Sequence, residues 1–210
     1  ADLHTHSISS GHGSEDTITD MIRCASESGL SLFGISDHGP ATSSSAKPSY
    51  FQSLKLADRD RFGIRVLYGA ELNIINTSGD VDLDDEILSA LDYAIISIHP
   101  PIFKPYHDKD LSSAYIRAMD HPKVRFLGHI DDARFPVDFE YLLEIAKEKH
   151  VYPEINNGSL MPDAYRINGQ ENCRRILSIC KKLDLPVLLH IFLVHRTHHF
   201  QADDRCSIFT

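Results

Sequence analysis

No apolar run in this chain approaches the ~20 residues a membrane-crossing helix needs, which excludes a helical membrane protein. The first residues lack a basic stretch followed by an apolar one, so no secretory leader is read there and a cytoplasmic location is expected. There is no initiator Met, so further residues are expected ahead of Ala1. Positive charge is scarce: 21 Lys and Arg stand against 30 Asp and Glu, a formal net charge of −9. That argues against non-specific binding to nucleic acid, but not against an anionic substrate, because bound cations reverse a local field. The four cysteines (Cys24, Cys173, Cys180 and Cys206) form no C-x-x-C pair, which removes the zinc knuckle and the dithiol redox motif. Cys173 and Cys180, seven apart on a helical pattern, read as buried small hydrophobes of a reducing compartment. There is no internal repeat, no low-complexity linker and no G-x-S-x-G nucleophile elbow. The 210 residues, 42% hydrophobic with a mean hydropathy of −0.22, read as one soluble domain.

Histidine, by contrast, is abundant, at 13 residues. The chain starts Ala-Asp-Leu-His-Thr-His-Ser. Read as a short strand, it places His4 and His6 on one face, because strand side chains alternate with period two. Further short apolar runs are predicted as strands at 32–35, 66–70, 93–97, 124–127, 151–155 and 187–189. Between several of them lie stripes at helical spacing. Ile18, Met21, Ile22 and Ala25 form one, capped by Asp16 or Thr17. Tyr141, Leu142, Ile145 and Ala146 form another, and Cys173, Ile176, Leu177 and Cys180 a third. Strand–helix alternation implies βα units, a parallel sheet and a closed or nearly closed barrel with its functional residues at the C-terminal strand ends. The Ser-, Pro- and Ala-rich segment 39–53 reads as a long loop or lid over that end.

At those strand ends polar ligands recur: His4 and His6, with His12 in the glycine-rich loop beyond; Asp37 and His38; Glu71; His99; His129; and Glu154-Ile155-Asn156-Asn157. A lone histidine after a strand is more often structural, and His107, His121, His150, His198 and His199 read as incidental. Six coincidences at one rim point instead to metal. So many imidazoles and a carboxylate exceed one tetrahedral zinc, so more than one ion is implied, with the Glu as a bridge.

The motifs Asp-Leu-His-Thr-His-Ser, Ser-Asp-His, Gly-Ala-Glu-Leu-Asn, Ser-Ile-His, Gly-His and Glu-Ile-Asn-Asn resemble those of the PHP (polymerase and histidinol phosphatase) family, and specifically its small stand-alone phosphoesterase branch. The resemblance runs over 1–189 and implies a single PHP domain with a distorted (β/α)7 TIM-like barrel and three metal ions, zinc in the first place, with manganese or iron as alternatives. It implies one ion on His4, His6 and Glu71, a second on Glu71, His99 and His129, and a third on His12 and His38, with Asp37 orienting a ligand. Arg134 and Arg166, in the loops after the fifth and sixth strands, are candidates for holding a phosphate. The activity implied is hydrolysis of a small phosphomonoester: the metals neutralise phosphate oxygens and bring a bound water toward a pKa of ~7, supplying hydroxide without a protein nucleophile. The resemblance leaves a homo-oligomer open.

It fails at the end of the chain. The family closes its site with Ser-Asp-x-His, whereas here Pro-Val-Leu-Leu-His190 runs into Ile191-Phe192-Leu193-Val194-His195 and no Asp appears. A one-residue slip recovers His195 as a ligand, and His190 is a second candidate. The atypical 190–210 tail reads as a frameshift or truncation that weakens the first metal site. The competing reading is therefore an inactive or weakly active metal-binding remnant. An amidohydrolase would need a bridging Lys and a late strand-end Asp, and neither is in place. A polymerase-associated nuclease fits poorly with the acidic charge.

Overall fold

A computed structural model describes residues 1–11, 13–100, 102–103 and 109–190. Its frame is a run of parallel strands in the order β1 (Leu32–Ile35), β3 (Ile64–Asn73), β4 (Tyr93–Ser97), β5 (Val124–Leu127), β6 (Tyr152–Asn156) and β7 (Leu188–His190). The two-residue β2 (Asp60–Arg61) hangs antiparallel on β3. The central strands are buried on both faces and read as continuous apolar runs: Tyr93 to Ser97 are buried throughout.

Helices cover the sheet. In α1 (Ile18–Glu27), the Thr17 hydroxyl accepts from the Asp20 N–H, and Met21, Ile22 and Ala25 point into the core. In α5 (Phe139–Glu148) the buried face is Phe139, Leu142, Leu143 and Ala146, so the stripe is rotated from the one expected and Tyr141 is half exposed. In α6 (Gly169–Leu183) Cys173, Ile176 and Cys180 are buried, as their spacing predicts. Burial pushes the Cys173 thiol up to about 12 and the Cys180 thiol up to about 11, so both are inert as nucleophiles at neutral pH. Two short helices, α3 (Asp85–Ser89) and α4 (Ser112–Ala118), precede β4 and β5.

Three expectations change. Residues 1–3 make no strand: the N-terminal segment forms one parallel bridge, Asp2 to Phe33, and runs along β1 with Asp2 O accepting from Gly34 N–H and Thr5 O from Ser36 N–H. Segment 39–53 is not all loop, because α2 (Pro48–Ser53) starts at a proline in the first helical turn, where its missing N–H costs nothing. And β3 runs past position 70 to Asn73, so Glu71 lies inside the strand, paired with Ile95 of β4.

The curl of the sheet gives a half-barrel. Its ends come together on the N-terminal segment: Asp2 bridges to β1, and its Oδ1 lies 3.1 Å from His190 Nδ1 on β7. Parallel strands put their C-terminal ends on one edge, and the polar residues gather there. Among the described residues no helix is long and apolar enough to cross a membrane.

Candidate metal centre

Glu71 is the hub. Its side chain is fully buried. Oε2 faces His4 Nε2 at 3.2 Å, His6 Nε2 at 3.4 Å and His38 Nδ1 at 2.9 Å. Oε1 faces His99 Nε2 at 3.2 Å and His129 Nε2 at 3.0 Å, and accepts the Ser97 hydroxyl at 2.6 Å. Five imidazoles from the N-terminal segment, the β1, β4 and β5 ends thus converge on one carboxylate inside β3. The rings pack on one another: His6 and His38 stack at 4.4 Å between centroids, and His38 meets His99 edge-on at 4.9 Å.

The chain also sets which ring nitrogen faces inward. Ser10 Oγ donates to Asp37, so its lone pair takes the His6 Nδ1 proton and leaves His6 Nε2 as a lone pair turned toward Glu71. Asn73 does the same for His99. Its Nδ2 donates to Asp82, which turns Oδ1 toward His99 Nδ1 at 2.8 Å. Glu154 Oε1 lies 2.6 Å from His4 Nδ1, leaving His4 Nε2 inward. The Asp37 carboxylate accepts from Ser7 N, Ser7 Oγ, Ser10 Oγ and Tyr50 Oη, so it orients His6 through Ser10.

This arrangement fits a cation and little else. Glu71 Oε2 is buried and accepts no hydrogen bond among the described residues, although three ring nitrogens surround it. An orphaned buried carboxylate oxygen costs ~1–3 kcal/mol or more unless something positive meets it. The Nε2 atoms of His99 and His129 lie 3.2 Å apart, too close for both to carry protons that point at each other. Two groups have ligand atoms close enough to share an ion, His4–His6–Glu71 and His38–Glu71–His99. Both include Glu71.

The charges agree. Burial alone would push the Glu71 carboxyl up, but His4, His38 and His99 outweigh it and hold it well below the usual range. His4 is the reverse: burial pulls its imidazole down, and Glu154 and Glu71 override this and raise it well above 6.5. A metal ion at His4 needs the neutral ring and would compete with a proton there. Burial, then the nearby Arg166 charge, pushes His129 down to about 4, so its ring stays neutral and able to ligate.

The other expected residues divide. Arg166 lies at the edge of the cluster, with Nη1 on Asn156 Oδ1 at 3.3 Å and Ser159 Oγ at 3.0 Å, and its charge is felt at His129. Arg134 is committed elsewhere. Its Nε and Nη2 grip Asp132, and its guanidinium covers the Tyr165 ring at 4.2 Å. His12 and His195 lie outside the described residues, as does the 191–210 part of the atypical tail. His190 sits behind His4, with ring centroids 5.4 Å apart, on the Asp2 carboxylate.

Several participants carried no role from sequence: Ser10 and Asp131; Asn73 and Ser97, quoted only within motifs; and Glu154, read as a strand-end polar residue without a role of its own. Asn73 and Glu154 lie two residues from another site residue on the same strand, which is the one signal that marked them. Asp131 is fully buried, and among the described residues neither carboxylate oxygen has a hydrogen-bond partner. Burial pushes its pKa up to about 6.

Comparison with known proteins agrees with this geometry. The PHP domain profile matches residues 2–158. A probable phosphatase of Clostridium acetobutylicum is 37% identical over 188 residues, covering 90% of this chain and 76% of the relative. A probable phosphatase of Acetivibrio thermocellus is 35% identical over 187 residues, covering 89% and 76%. In fold, the chain is similar to the crystal structure of a putative histidinol phosphatase from Listeria monocytogenes (TM-score 0.66, 17% identity, 90% of this chain and 93% of that one). It is also similar to histidinol phosphate phosphatase from Lactococcus lactis, solved with zinc, L-histidinol and phosphate (TM-score 0.60, 20% identity, 90% and 84%).

Proposed function

The chain belongs to the PHP domain family and is a metal-dependent hydrolase of phosphate esters, and we propose that it cleaves a small phosphomonoester at a multinuclear centre bridged by Glu71. The observation that carries this reading is the orphaned Glu71 Oε2 inside a ring of imidazoles whose lone pairs face it. His4 and His6 would hold one ion with Glu71, and His99 and His129 another; His38, with its Nδ1 on the same carboxylate oxygen, would serve with His12 at a third. Zinc suits this donor set of imidazoles and carboxylate. When bound, the metals would neutralise the phosphate oxygens and acidify a water for attack.

The protein's own contribution is placement. Ser10, Asn73 and Glu154 fix the ring tautomers, and Arg166 offers a guanidinium fork at the rim, where a phosphate dianion would meet it. Among the described residues, all the ligands of the Glu71 cluster come from before position 130. We read 1–189 as one such domain.

The test is hydrolysis of p-nitrophenyl phosphate by the whole chain, before and after removal of metal. The account expects turnover that a chelator abolishes and zinc restores. Turnover indifferent to chelation, or none after zinc loading, would count against it.

A further inference from the structure

Glu154 is buried on β6 and bonded through both carboxylate oxygens to other parts of the chain. Oε1 takes the His4 ring N–H at 2.6 Å and the Asn156 amide at 3.1 Å; Oε2 takes the His129 main-chain N–H at 2.8 Å. Oε1 is fully taken by two donors, and Glu154 stands in neither of the close ligand groups found among the described residues.

Its two main partners are ligands of the cluster. The His4 main chain is fixed by its neighbours, with Asp2 O accepting from Gly34 N–H and Thr5 O from Ser36 N–H, but these bonds leave the ring free to turn. His129 has φ +29, outside the regions a non-glycine residue adopts without strain, and such a conformation persists only where its surroundings enforce it. Glu154 supplies both constraints from one side chain. It also reaches the rim, because the Asn156 that donates to it turns its own Oδ1 toward Arg166.

We propose that Glu154 is the positioning residue of the metal centre, fixing the His4 ring and the His129 main chain so that both Nε2 atoms face Glu71. This rests on the metal-centre reading above. The role demands two acceptor oxygens: a glutamine keeps one and turns an amide N–H₂ toward a donor, and an aspartate keeps both on a shorter arm.

The test uses the full chain as wild type, Glu154→Gln and Glu154→Asp. Zinc affinity is read by competition with a chelating dye, and amide hydrogen exchange is followed at 128–131 without metal. Glu154→Gln should bind zinc 10–100-fold more weakly, the range for partners that orient ligands, with faster exchange at His129. Its activity should recover at saturating zinc. Glu154→Asp should fall between the two, and it carries the test if the Gln variant does not fold. A folded variant with wild-type zinc affinity and wild-type exchange at His129 would overturn the proposal. Wild type that binds no zinc would overturn the metal-centre reading and this inference together, and is told apart by appearing before any substitution.

Discussion

At the scale of single residues, the centre is an electrostatic device built around Glu71, and its parts should fail in different ways. Replacing the bridge, Glu71→Gln, should strip most of the bound metal and cut kcat/KM by more than the ~10–100-fold that loss of an orienting partner costs. Ser10→Ala should act more mildly. It frees the His6 ring and leaves an Asp37 oxygen short of a donor, so zinc affinity should drop by about tenfold while the ligand set stays intact. Both are read by zinc titration.

The two arginines should separate cleanly. Arg166→Ala should raise KM for the phosphate ester with metal content unchanged. Arg134→Ala should leave KM in place and lower stability by about 1–3 kcal/mol, because buried Asp132 loses its partner. Denaturant unfolding beside steady-state kinetics distinguishes them. An Arg134→Ala enzyme with a raised KM would restore the phosphate role its sequence position suggested.

At the scale of elements, three of the ligands follow strand ends, which is why much of the site was legible. His38, His99 and His129 follow short apolar runs that the structure makes strands, and Leu32–Ile35, Tyr93–Ser97 and Val124–Leu127 stand where the hydrophobic pattern put them. What was not legible has a common cause. The first three residues alternate like a strand, but the sheet offers them a single bridge, Asp2 to Phe33, too short a pairing to make one. Glu71 reads as a residue beyond a strand because a carboxylate interrupts the apolar run, yet β4 carries β3 through to Asn73 and a bridge from His38 meets Glu71 on the other side. Partners such as Ser97 and Asn73 looked like ordinary strand residues, since a hydrogen bond to a ligand leaves no period in the sequence.

One glycine shows how tightly the elements meet. A Cβ on Gly128 would lie 2.2 Å from Ser97 Oγ and 2.9 Å from Ile95 Cγ2. Gly128→Ala should therefore displace the serine that donates to Glu71 and move His129 beside it, costing about 1–3 kcal/mol as an overpacked core does. Zinc affinity should fall with it. Thermal unfolding and metal titration on the same sample check both.

At the scale of the molecule, the barrel is a frame on which distant segments are brought to one point. Glu71 and Glu154 lie far apart in sequence and tie β3 and β6 to the His4 ring, while Asp2 ties the N-terminal segment to His190 on β7. Ions bound only by the folded chain stabilise it by mass action, about 2.7 kcal/mol at a free concentration 100 times Kd. Chelation should therefore lower the unfolding temperature and zinc should restore it, in wild type but not in Glu71→Gln. The measurement that reaches the central claim most directly is elemental analysis of metal per chain, on protein purified without chelator or tag, beside Glu71→Gln prepared in parallel. The account predicts two or more ions in the wild type and a marked loss in the variant. A wild type without metal, or a variant that keeps the full complement, would contradict a centre bridged by Glu71.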